Sequence, residues 1–342
     1  MNKKAFILFN RYFKNDDYEM MYNSSTGFEI LRGINGKEDP FSLELPSLLD
    51  IGIMGTCVHK CGFCYQGHVN KPNMKLQDFK SIIDQTKYHI NQVALGGRGD
   101  PNKHENFKEI VEYCRKNDVV PSYTTSGINI TDDEIEISKM CGAVAVSDYR
   151  QDYTYRAIKK LQEAGIKTNI HIIFSKQSYS HCLKILEGNN PWTYYIKNTI
   201  QKRNINIPKI NAIIFLLFKP QGSGKNLPDM IPESWQIKAF AEKIFNNKAK
   251  CKIGMDSCLV NHTINHVILS ENQMMSIDTC EGARMSAYIS PDMKFMPCSF
   301  ASHDQYGVQI NNNIKDIWDK SIQFKSFRNI LKQRRNCCPL GL

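Results

Sequence analysis

The chain has 342 residues, 42% hydrophobic and 23% charged, with 12 cysteines and a formal net charge of +10. That balance fits an ordinary globular protein of about two domains with ample core, and it excludes a disordered or collagen-like chain. The N-terminal apolar run, Ala5 to Phe9, is too short for a signal peptide or a membrane span. A cytoplasmic setting follows, with no membrane contact and with the cysteines reduced and available to metal. Positive residues are scattered, and only Lys332, Arg334 and Arg335 form a compact run. The charge therefore reads as a solvated lysine-rich surface before it reads as a nucleic-acid site.

Residues 1–50 are expected to form strands at Ala5–Phe9, Tyr18–Tyr22 and Phe28–Leu31, with turn chemistry in Asn23-Ser24-Ser25-Thr26-Gly27. Apolar strands then alternate with amphipathic helices. Strands are expected at Ile51–Met54, Val93–Leu95, Val119–Tyr123, Ala143–Val146, Thr168–Phe174 and Ala212–Phe218. Phe107, Ile110, Val111 and Cys114 share a helical face, as do Ala157, Leu161 and Ala164 ahead of a Gly165 stop. Thr131-Asp132-Asp133-Glu134 is a capping box and should start a helix. Six βα units predict an α/β fold, a partial (β/α)6 TIM-like barrel with its site at the C-terminal strand ends. The stretch from Lys219 to Pro232 reads as a loop, and Ile237, Phe240, Ala241 and Ile244 outline a helix. From residue 251 onward little regular periodicity is visible.

Between the first barrel strand and its helix lies Cys57-Val58-His59-Lys60-Cys61-Gly62-Phe63-Cys64, followed by Tyr65. Three thiolates on one short loop can hold three corners of a cubane iron–sulfur cluster and leave the fourth iron open. A closed zinc site usually pairs two such motifs, and the nearest fourth candidates, His59 and His68, lack that arrangement. A disulfide would need an oxidising compartment. The spacing, the Phe before the third cysteine and the Tyr after it closely resemble the radical S-adenosylmethionine enzymes, from about residue 50 to the C-terminus. The resemblance implies a 4Fe-4S cluster on Cys57, Cys61 and Cys64 with S-adenosylmethionine on the open iron. Reductive cleavage of that cofactor would then give a 5′-deoxyadenosyl radical that abstracts hydrogen from a substrate.

Gly96-Gly97-Arg98-Gly99-Asp100-Pro101 ends the second strand, where glycines permit close backbone approach. It matches the family's glycine-rich strand for the cofactor amine. Many relatives carry Glu where this chain has Arg98, and Asp100 is the nearby acid. The resemblance places Ser147 by the ribose, with a helix cap or turn hydroxyl as the alternative, and Phe63 and Tyr65 by the adenine, with packing on the cysteine loop as theirs; Arg150 is a candidate partner for the cofactor carboxylate or a surface residue. Thr124, Thr125 and Ser126 follow the third strand toward the site, while His171 reads as a satisfied core histidine. Gly222-Ser223-Gly224-Lys225 is not a phosphate loop, because Lys219 and Asn226 stand where its outer glycine and hydroxyl belong. The segment remains a candidate wall of the site.

In the tail, Cys280-Glu281-Gly282 and the stretch from Tyr288 to Cys298 resemble the hairpin of SPASM and Twitch auxiliary-cluster domains. Met293 replaces the family's glycine five residues before the second cysteine. The resemblance implies one auxiliary 4Fe-4S cluster on Cys258, Cys280 and Cys298, with Cys337 or Cys338 as fourth ligand; structural thiols or zinc are the alternatives. Cys114, Cys141, Cys182 and Cys251 read as packing residues. The expected division is an N-terminal β extension over 1–50, a barrel over 51–235, and a small C-terminal iron–sulfur domain over 236–342. Relatives with such tails suggest a ribosomally made peptide as substrate, for which the N-terminal strands offer an edge. A flavodoxin- or ferredoxin-like electron donor follows from the chemistry. A nucleoside, RNA or small metabolite is the alternative substrate, and a non-catalytic iron–sulfur or zinc scaffold is the alternative class.

Overall fold

The computed structural model describes residues 9–189, 210–274, 277–311, 313–333 and 338–341. An antiparallel sheet comes first, with strands β1 (Arg11–Lys14), β2 (Tyr18–Asn23) and β3 (Phe28–Gly33) in that order. Two of the expected N-terminal strands are present; most of the third, Ala5–Phe9, lies outside the described residues. Asn23 Oδ1 accepts from the Ser25 and Thr26 amides, and Gly27 at φ 77° closes the β2–β3 turn.

The main sheet holds parallel strands β4 (Leu48–Met54), β5 (Gln92–Gly97), β6 (Val120–Thr125), β7 (Val144–Ser147), β8 (Thr168–Phe174), β9 (Ala212–Leu217) and β10 (Lys252–Met255). Helices α1 (Leu76–Thr86), α2 (Phe107–Lys116), α3 (Asp132–Ser138), α4 (Asp152–Glu163), α5 (Tyr179–Leu186) and α6 (Ser234–Ile244) pack on its outer face. All six expected barrel strands are present, within three residues of their sequence bounds. The capping box forms as read, with the Thr131 hydroxyl and the Glu134 carboxylate satisfying each other's backbone amides. Gly165 follows α4 at φ 76°.

The tail is woven into this sheet at both edges. β10 pairs with β9, α7 (Ser257–Thr263) follows it, and β11 (Ser286–Ile289) runs parallel to β4. β12 (Lys294–Met296) and β13 (Val308–Gln309) extend that edge antiparallel. The order is β10-β9-β8-β7-β6-β5-β4-β11-β12-β13, so the barrel is open, with β10 and β13 at its margins. The tail is more regular than its sequence suggests. Helices α8 (Glu271–Met274), α9 (His303–Tyr306), α10 (Ile314–Lys320) and α11 (Ile322–Gln333) run through it. Phe324, Phe327 and Leu331 bury one face of α11 at i, i+3, i+7 spacing.

Alternation along the strands sorts apolar from polar. Leu49, Ile51 and Ile53 of β4 are fully buried against the helices, whereas Asp50 and Gly52 face inward. Thr124, Ser147 and His171 occupy corresponding inward positions. The outer layer is the core; the lumen is polar.

Candidate functional site

The cysteine loop leaves the C-terminal end of β4 and is pinned mainly through its backbone. Asn73 Oδ1 accepts from the Gly55 amide at 3.0 Å, and Asn70 Oδ1 accepts from the Cys57 amide at 3.0 Å. Arg98 donates to the carbonyls of Gln66 and Gly67 at 2.6 and 2.7 Å, so this cation braces the loop from below. The Ser223 amide donates to the Cys64 carbonyl at 2.9 Å, and Gly222 packs so tightly that a Cβ there would lie 2.4 Å from the Tyr65 carbonyl oxygen. The glycine-lysine segment is thus a wall of the cysteine loop.

The loop holds its thiols outside any disulfide. Cys57, Cys61 and Cys64 are all free and half-buried. Burial pushes the Cys57 and Cys61 thiols up, and the neighbouring thiols push the same way, which places the side chains close together. A bound cation would reverse that repulsion, so the donor set fits a thiophilic metal group. The Cys61 thiol also donates to Tyr149 Oη at 3.8 Å, and Phe63 stacks on the Tyr149 ring at 5.9 Å.

The glycine strand has two jobs. A Cβ on Gly97, at φ 119°, would lie 2.3 Å from the Met54 carbonyl oxygen, and one on Gly99 would lie 2.3 Å from that of Thr56. These two glycines let β5 approach the cysteine loop. Gly96 instead faces the lumen, where the nearest atom to a Cβ is Asp50 Oδ1 at 3.5 Å. Asp100 is committed to the next loop, accepting from the Ser126 amide at 2.8 Å and the Thr125 hydroxyl at 3.1 Å. Arg150 is exposed with φ 55°. Tyr65 turns toward the tail, its ring tilted against Phe300 with centroids 4.7 Å apart. Burial holds the His171 imidazole down at about 4, so it stays neutral at physiological pH.

The tail cysteines converge from four separate segments. Cys258 lies on α7, and its thiol is hydrogen-bonded to that of Cys338. Cys280 feels the charge of Cys338, and Cys298 feels both Cys280 and Cys338. Burial lifts Cys280 to about 11 and Cys298 to about 12. Cys337 lies outside the described residues. Beside this set, Lys219 Nζ donates to Asp256 Oδ2 at 2.8 Å and rests 4.7 Å over the Phe300 ring. Phe300 therefore joins the two cysteine groups through Tyr65 on one side and Lys219 on the other. Among the described residues no three His, Cys, Asp or Glu side chains stand close enough together to hold a single metal ion, and no helix is long and apolar enough to cross a membrane.

Asp50, Tyr149, Lys219 and Asp256 were not singled out by sequence. The signal for Asp50 was available: a carboxyl amid a Leu- and Ile-rich barrel strand is out of place unless it has a task.

The open α/β barrel that carries the three-thiol loop has counterparts among solved structures. No protein-family model matches the chain. It is similar to mycofactocin maturase MftC of Mycolicibacterium smegmatis, 20% identical over 307 residues, covering 84% of this chain and 73% of that protein. Streptococcus suis SuiB bound to its precursor peptide SuiA superposes with a TM-score of 0.68 at 16% identity, over 93% of this chain and 89% of that one. The anSMEcpe structure with bound AdoMet gives 0.57 at 13% identity, over 82% and 80%. The chain thus shares its fold with SuiB and with the AdoMet-bound anSMEcpe.

Proposed function

We propose that this protein is a radical S-adenosylmethionine enzyme that modifies an unactivated C–H position of a ribosomally made peptide. The observation that carries the reading is the trio of free thiols, Cys57, Cys61 and Cys64, held on one braced loop above a polar lumen. These residues would hold a 4Fe-4S cluster, and with S-adenosylmethionine it would supply a 5′-deoxyadenosyl radical for hydrogen abstraction. Gly96 leaves room for the cofactor, the Thr124 and Ser147 hydroxyls offer hydrogen bonds from the lumen wall, and Arg150 offers a charge for a carboxylate. Phe63, stacked on Tyr149, would flank the adenine.

Cys258, Cys280, Cys298 and Cys338 would hold one auxiliary 4Fe-4S cluster, with four thiolates closing it. Their mutual proximity supports the set, and Cys338 supports the fourth position. The peptide as substrate rests on the likeness to SuiB, whose structure holds a precursor peptide. A flavodoxin- or ferredoxin-like protein would deliver the electron.

Anaerobically reconstituted protein, reduced in the presence of S-adenosylmethionine, should release 5′-deoxyadenosine. Protein that carries its full iron and sulfide yet releases none would leave a scaffold role instead. Turnover with candidate precursor peptides, read by mass spectrometry, separates a peptide from a small-molecule substrate.

A further inference from the structure

Asp50 sits on β4 with Ala94 of β5 opposite it on one side and Tyr288 of β11 on the other. It faces the lumen, at a position where parallel barrels ordinarily place an apolar side chain. On its own strand the next inward position, Gly52, is taken up by neighbours: a Cβ there would lie 2.5 Å from Tyr288 Oη and 3.1 Å from Pro291. Across β5 the adjacent inward residue is Gly96, whose missing side chain leaves the lumen side of Asp50 open, and Asp50 and Gly96 are both only partly covered there.

The groups that face Asp50 are few. Ser299 of the tail hydrogen-bonds to the carboxyl, and the Tyr65 and Tyr288 phenols lie close by. β5 contributes Ala94 and Gly96, neither of which carries charge. Among the described residues, no Lys, Arg or His acts on this carboxyl. Tyr65, Tyr288 and Ser299 also line a cleft of about 490 Å³ that opens between Lys71, Gln221 and His303. Asp50 itself does not line that cleft, so a ligand reaches it from the lumen. Burial holds the Asp50 carboxyl up at about 7, so near neutral pH it is only partly ionised and an arriving cation favours its charged form.

From this geometry we infer that Asp50 is the substrate anchor of the lumen, receiving a protonated amine or a guanidinium from the peptide. The inference rests on the radical-enzyme reading for the identity of the ligand as a peptide, and the carboxyl itself acts by binding. A surrounded acid without a counter-ion gains most from a ligand that supplies one.

The test is calorimetric binding of capped tripeptides with central Lys, Arg or norleucine to the anaerobically reconstituted protein with S-adenosylmethionine. Lys and Arg peptides should bind at least about tenfold tighter than norleucine, as a charge-assisted hydrogen bond implies. In Asp50→Asn the three should fall within about twofold of one another. Equal binding in the wild type, no binding by any, or a preference that survives Asp50→Asn would overturn the inference.

Thermal melting adds an independent readout. An unfolded carboxyl ionises at 3.8, whereas in the fold Asp50 holds its proton up to about 7. Wild-type stability should therefore decline across that window relative to Asp50→Asn, which has no proton to lose. The variant should melt higher at pH 8, with the gap closing below pH 4. A lower melting temperature for Asp50→Asn would make Asp50 a structural brace and sink the anchor role. Absence of 5′-deoxyadenosine from the wild type would instead strike the radical reading and leave the binding result standing.

Discussion

The two cysteine sets lie at opposite extremes of locality. Cys57, Cys61 and Cys64 share one loop; Cys258, Cys280, Cys298 and Cys338 come from four segments spread across the tail. The first set is half-buried at the barrel mouth, where a cofactor needs access. Cys280 and Cys338 of the second are buried, and Cys258 and Cys298 are half-buried by surface though closely surrounded. A local set is positioned by its own backbone, braced by Asn70, Asn73 and Arg98. A dispersed set is only as good as the tertiary structure that gathers it. Damage to the barrel mouth should therefore stay local, while damage to the tail should cost stability and metal together.

The largest effect separates the sets outright. Replacing Cys57, Cys61 and Cys64 together by Ala should abolish 5′-deoxyadenosine formation while leaving about half of the bound iron. Cys280→Ala with Cys298→Ala should remove the other half. Iron and sulfide assays with electron paramagnetic resonance read both. If either variant empties both sites, the sets are not independent.

The next effect tests the dependence of the tail on its scaffold. Asp256 pairs with the buried Lys219 and also accepts from the Leu259 amide at 2.8 Å, capping α7, which carries Cys258. Asp256→Ala strands a buried cation and removes a cap, so it should cost about 3–5 kcal/mol in denaturant melts. Tail iron should fall with it, and the mouth cluster should persist. Unchanged stability would mean that Lys219 finds another partner.

The same contrast explains what the sequence made legible. The six barrel strands carry their own apolar signal, and the capping box at Thr131 and Glu134 needs four consecutive residues; both read correctly. The three-cysteine loop is equally local. The tail strand β10 was missed because it is four residues long and gains its identity from β9, while the hairpin of β11 and β12 was legible only through the resemblance and the pairing of β11 with β4 was not. Helix α11 was missed although Phe324, Phe327 and Leu331 are spaced as a helix requires. The glycine strand was recognised, but sequence could not divide its labour: Gly97 and Gly99 serve the approach to the loop, and Gly96 serves the lumen. Asp50 escaped notice although a carboxyl within an apolar barrel strand is itself a local signal.

A smaller effect follows for the mouth. Gly97→Ala puts a methyl group against the Met54 carbonyl at a backbone conformation that disfavours side chains. The cost should be about 1–3 kcal/mol, and because β5 shifts away from the loop, affinity for S-adenosylmethionine should weaken while tail iron stays constant. Equilibrium dialysis and iron assay distinguish this from general unfolding, in which both would fail together.

The smallest effect concerns the hairpin that delivers Cys298. The Met293 amide bonds to the Ser290 carbonyl at 2.9 Å, and Ser290 N–H to the Lys294 carbonyl at 2.9 Å, closing a tight turn between β11 and β12. Met293 takes φ 62° there, the left-handed conformation that costs a non-glycine residue about 1–2 kcal/mol. Glycine removes that strain but surrenders backbone entropy and the partial packing of the methionine against the core. Met293→Gly should therefore be net stabilising by less than about 1 kcal/mol, with tail iron unaltered. A clear loss of stability would show that the side chain, rather than the turn, holds this edge of the tail in place.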